Sequence, residues 1–111
     1  MGNETLVDYF IDLGVDINKE NSNGETPIIY ACYGRNVNIV NYLIELSADI
    51  NKENRYSETL LLSECRKGNI TLVKCLIEHG ADINNVNWKG ETPLFMACEV
   101  GNELIIKYLV E

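Results

Sequence analysis

Residues 24–32 read GETPIIYAC, and residues 90–98 read GETPLFMAC. Between them, at 57–65, stands a worn copy, SETLLLSEC. The three phrases begin at Gly24, Ser57 and Gly90, so the chain repeats itself at an interval of 33 residues. A fixed period of this size marks a stacked repeat architecture, in which no single unit buries its own apolar face.

The period runs through the rest of the chain. NIVNYLIELSADIN (38–51) aligns with TLVKCLIEHGADIN (71–84), with LIIKYLVE (104–111) and with TLVDYFIDLGVDIN (5–18). This divides the chain into a partial repeat 3–23, whole repeats 24–56 and 57–89, and a partial repeat 90–111. The expectation is a single repeat domain over 1–111, with no room for a second.

Each repeat carries the signals of two helices. In the longer one the quartet Leu72, Val73, Leu76, Ile77 falls on one helical stripe, as do Ile39, Val40, Leu43, Ile44 and Leu6, Val7, Phe10, Ile11. Gly14 and Gly80 follow where a left-handed stop residue belongs, with Ser47 as substitute. The shorter helix opens at Thr26-Pro27 and Thr92-Pro93, where threonine can cap and proline suits the first turn. The connecting stretches DINKENSNG and DINNVNWKG are rich in Asn and Gly, as tight projecting turns are.

Together, Gly-x-Thr-Pro, the paired small residues, the apolar quartet and Gly-Ala-Asp-Ile-Asn make this chain resemble the ankyrin repeat. The resemblance covers nearly the whole sequence. It implies an all-α ankyrin-repeat solenoid, each unit a β-turn plus an antiparallel helix pair. It also implies a non-catalytic scaffold that binds proteins through turn tips and the concave helix face. Against the family pattern, Ile29, Leu62 and Phe95 replace its usual histidine, and Leu60 replaces the proline. Glu64 fills a small-residue slot, and Arg35 stands where Gly68 and Gly101 sit. Repeat 57–89 is therefore expected to be the loose one. A carboxylate at position 64 needs a partner if buried, and Arg66 and Lys67 are its sequence neighbours.

Several chemistries are excluded. A formal net charge of −8 argues against nucleic acid or an anionic membrane as partner. No apolar run is long enough to span a bilayer, and no leader pattern opens the chain. Cys32, Cys65 and Cys98 recur with the period in the second small-residue slot, where a thiol acts as a small buried hydrophobe. With Cys75 they form no C-x-x-C pair, so no metal site is expected. Four free thiols suit a reducing compartment, the cytoplasm or alternatively the nucleus. The one histidine, His79, ends a helix, and no phosphate loop or carboxylate pair accompanies it. No enzyme activity and no cofactor are expected.

The resemblance places recognition beside the repeated phrase. There stand Tyr33, Arg55, Tyr56, Arg66, Lys67, Trp88 and Lys89, residue types that dominate binding hot spots. Residues 52–74 carry a net +2 while the rest of the chain carries −10, which points to an acidic partner segment. Two other readings remain open. The repeats could position substrate within a longer effector or enzyme, since the chain starts and stops inside a repeat. Alternatively, the chain could self-associate through uncapped end repeats, because Leu104 replaces Asn38 and Thr71.

Overall fold

The structure is a computed structural model that describes residues 16–54 and 56–111. The quartet Leu6, Val7, Phe10, Ile11, the stop residue Gly14 and the contact candidate Arg55 lie outside the described residues. Six helices and no strand occur among the described residues: α1 (Pro27–Tyr33), α2 (Val37–Glu45), α3 (Leu60–Lys67), α4 (Ile70–Glu78), α5 (Pro93–Val100) and α6 (Glu103–Val110). The chain groups into two compact units, Met1–Asp49 and Ile50–Glu111.

In the first unit α1 packs on α2, and Ile28, Cys32, Val40 and Leu43 are buried. In the second, α3 packs on both α4 and α5, and α6 packs on α5 and α4. Its core is built from Leu61, Leu62, Leu72, Val73, Leu76, Ala97 and Ile105, all fully buried. The quartets predicted from the 3.6-residue period supply much of both cores.

The helix starts obey two rules. Asn36, Asn69 and Asn102 each cap the second helix of a pair, accepting from the amides of Ile39, Leu72 and Ile105 at 3.1, 3.4 and 3.0 Å. A side-chain oxygen there satisfies an amide that the first turn leaves without a partner. At the first helices the outcome is mixed. Thr92 Oγ1 accepts from Phe95 N at 3.1 Å, as expected. Thr26 and Thr59 hold the same extended backbone, but their hydroxyls are buried and make no cap bond. The expected cap at Thr26 is therefore absent.

The helix ends follow backbone demand over residue identity. Gly68 and Gly101 end α3 and α5 at φ 79° and 76°, and Arg35 takes the same left-handed conformation at φ 55° while Gly34 stays at −81°. The neighbouring glycine does not absorb the turn, so Arg35 bears the strain of a non-glycine there, about 1–2 kcal/mol. Ser47 does likewise at φ 75°, where Gly80 has 96°. Among the described residues, no helix is long and apolar enough to cross a membrane.

Candidate functional site

The turn before each first helix is built around one asparagine. Asn21, Asn54 and Asn87 each use Oδ1 to accept two backbone amides, two and four residues on, at 2.8–3.0 Å. The same asparagine's own amide donates to the carbonyl four residues later at 2.9–3.1 Å. Each turn tip is thus pinned from inside. The 33-residue recurrence of these asparagines is visible in the sequence, where composition alone marks them only as turn formers.

A second asparagine per repeat ties successive turns together. In the second unit Asn51 donates to Gly80 O at 3.4 Å and accepts from Asp82 N at 2.9 Å. In the first unit Asn18 does the same with Ser47 O and Asp49 N, at 3.3 and 3.0 Å. Within each unit, successive turns are therefore tied by side-chain bonds.

On this frame the second unit displays two aromatic rings side by side. Tyr56 and Trp88 sit at adjacent tips, with ring centroids 6.5 Å apart and planes tilted by 36°. Trp88 N donates to Tyr56 O at 3.1 Å, which fixes one tip against the other. The rings remain 49% and 66% exposed. Lys89 places its ammonium 5.7 Å from the Trp88 ring centroid, within reach of a cation–π attraction.

Arg66, at the end of α3, points to the same turn but its charge is already engaged. Its guanidinium forks onto Glu58, with Nη1 at 3.1 Å from Oε1 and Nη2 on Oε2. Asn87 Nδ2 also donates to Glu58 Oε2, at 3.3 Å, linking this ion pair to the residue before Trp88. Arg66 holds the Glu58 carboxyl below the usual range, with Asn87 assisting against the opposing effect of burial. Glu91 and Glu99 also bear on Arg66 electrostatically. Lys67 turns away to the fully buried Glu64, its ammonium 3.3 Å from Oε2. Sequence proximity left Arg66 and Lys67 equivalent as partners for Glu64, and geometry divides them.

Tyr33 belongs to the first unit. Its hydroxyl donates to Glu25 Oε2 at 2.7 Å, and its ring meets Tyr30 edge-on at 5.3 Å between centroids. The Glu25 carboxylate pushes the Tyr33 phenol up to about 12. Glu25 and Glu58 both accept side-chain hydrogen bonds, Glu25 from Asn21, Tyr30 and Tyr33 and Glu58 from Arg66 and Asn87. Of the seven contact candidates, the structure joins Tyr56, Trp88, Lys89 and Arg66 in one network. Lys67 lies outside it.

The thiols are mostly inert. Cys32, Cys65 and Cys75 are buried, and desolvation pushes the Cys65 thiol up to about 12, with Glu64 adding to it. Cys98, expected to be buried like its register mates, is exposed. His79 Nδ1 lies 2.8 Å from Cys75 O, a local helix-end contact. Among the described residues, no group of three or more His, Cys, Asp or Glu is placed to hold a metal ion.

Paired helices, pinned tips and a 33-residue register define a helical repeat protein. The family profile described as ankyrin repeats in three copies matches residues 1–86 and again 46–111. The chain belongs to the ankyrin-repeat family, whose members are generally protein–protein interaction modules and typically non-catalytic. No curated protein matches it.

Proposed function

We propose that residues 1–111 form a non-catalytic scaffold module that captures a partner protein through its turn tips and the ends of its first helices. The Tyr56–Trp88 pair carries this reading: two large rings held by backbone bonds yet left about half or more exposed. Rigid aromatic rings bind at low entropic cost and dominate hot spots. Lys89, in no ion pair among the described residues, would meet an acidic group of the partner. Arg66 acts mainly by holding Glu58 and the turn in place. Arg55 adjoins Tyr56 in sequence, and Tyr33 is the corresponding contact residue of the first unit. Four cysteines outside any disulfide suit a reducing setting, in the cytoplasm or alternatively the nucleus.

A partner identified by affinity capture and then titrated calorimetrically should lose about 1–4 kcal/mol of binding to Trp88→Ala, with little change in melting temperature. Unchanged affinity in the Tyr56→Ala, Trp88→Ala double variant would remove the tips from the site. Self-association is the second reading, favoured by Leu94, Phe95, Val100, Leu104 and Val110 standing exposed on α5 and α6. Sedimentation of the chain alone separates the two.

A further inference from the structure

The exposed leucine on α6 is not explained by stacking. Leu104 is 66% exposed, and its register equivalents Asn38 and Thr71 are exposed too, although each lies in a repeat that is followed by another. Within the second unit a following repeat therefore leaves this position, Thr71, in solvent, and the second and third copies both carry polar residues there. The fourth copy places a leucine there instead. An isolated exposed leucine would mean little, but this one borders a groove.

The groove lies between α4 and α6, holds about 230 Å³ and is lined by Ile70, Lys74, Leu104, Lys107, Tyr108 and Glu111. Ile70, Leu104 and Tyr108 give it an apolar floor. Lys74 and Lys107 are register equivalents on neighbouring helices, so the repeat sets two ammonium groups along one groove. Lys74 is held 5.6 Å from the centroid of the Tyr108 ring, over that floor. The lining carries two lysines against one glutamate, on a chain whose net charge is −8. Local charge here is opposite in sign to the molecule as a whole.

We infer that the α4–α6 groove is a second docking surface, separate from the turn tips, and that it takes an acidic amphipathic helix of a partner protein. Apolar side chains spaced three and four residues apart would lie on Ile70, Leu104 and Tyr108, the way helices enter grooves. Carboxylates flanking that stripe would meet Lys74 and Lys107. Complementary charge selects this partner over a basic helix of the same apolar pattern.

The probe is a fluorescein-labelled peptide of about 15 residues, leucines at helical spacing and glutamates elsewhere, beside a twin with lysine for every glutamate. Anisotropy is measured with the full chain. The acidic peptide should bind and its twin should not. Leu104→Asn, which installs the residue found at position 38, should weaken binding by at least about fivefold, as should Lys74→Glu with Lys107→Glu. Circular dichroism and melting of Leu104→Asn should match the parent, because the side chain is exposed. No binding up to about 1 mM, equal binding of the twin, or indifference to Leu104→Asn overturns the proposal. So does loss of the same binding in Trp88→Ala, which would place the peptide at the tips. A dimer of the parent that Leu104→Asn dissolves would overturn it in favour of a second copy as occupant.

Discussion

Helices α3 and α5 occupy the same register 33 residues apart, and their burial runs opposite to their local signals. The start of α5 has a proline in its first turn and a threonine that caps Phe95. The start of α3 has neither, and Glu64 stands in its small-residue slot. Local rules favour α5, yet α3 is the deeper helix. Leu61, Leu62 and Cys65 are fully buried, while Leu94 is 38% exposed, Phe95 is 52% exposed and Cys98 is exposed. Short helices draw little stability from propensity and most of it from the surface they pack against. Neighbours, rather than start signals, decide which of the two is held.

This predicts an asymmetry in core truncation. Leu62→Ala should destabilise the chain by about 2–5 kcal/mol, the range for emptying a closed apolar site. Phe95→Ala removes a larger side chain at the equivalent position but should cost under about 1 kcal/mol, since half of it already meets water. Urea titrations of the two variants read the difference. Equal losses would mean that the exposed side of α5 is covered in solution.

The same contrast marks what the sequence could reveal. The period, the apolar quartets and the left-handed ends were legible because backbone and burial demands repeat at fixed spacing. Even the misfits were readable: Arg35 and Ser47 were placed correctly because position, not residue type, sets φ there. The looseness expected of repeat 57–89 is not matched by the burial of α3, because that expectation weighed its caps and not its contacts. At the site, the aromatic tips were legible by register. The electrostatics were not. Whether Arg66 reaches Glu58 or Glu64 depends on helix-face direction within a few ångströms, which residue spacing does not encode. The net +2 of residues 52–74 already counts Glu58 and Glu64, so the ion pairs leave it unchanged, but they engage Arg66 and Lys67 within the repeat.

The caps give a smaller test. Thr92→Val deletes a hydroxyl that bonds Phe95 N, so it should cost about 0.5–2 kcal/mol. Thr59→Val removes a buried hydroxyl with no bond to lose, and an apolar group of the same shape should be neutral or slightly stabilising. Valine keeps the β-branch in both, so the difference isolates the hydroxyl. A clear loss at Thr59 would show that its hydroxyl bonds in solution.

The smallest expected effect concerns the two carboxylates that begin these repeats, Glu58 and Glu91. Glu58 meets Arg66, whereas the register equivalent of Arg66 near Glu91 is Glu99. Arg66 holds the Glu58 carboxyl below its usual range in the folded chain. A carboxyl whose folded value is depressed binds fewer protons folded than unfolded. Its stabilising contribution is full above the unfolded value, about 4.3, and is lost as pH falls through the folded one. The parent should therefore lose more stability between pH 7 and pH 3 than Arg66→Gln does. Arg66 is 43% exposed, so solvent screens the pair and the difference should stay within about 1 kcal/mol. Glu99→Gln, at the equivalent position of the next repeat, removes no such pair and should leave the acid limb parallel to the parent's. Urea midpoints at the two pH values decide it. Parallel acid limbs for the parent and Arg66→Gln would mean that the fork onto Glu58 does not hold in solution, returning the Arg66 charge to whatever partner approaches the tips.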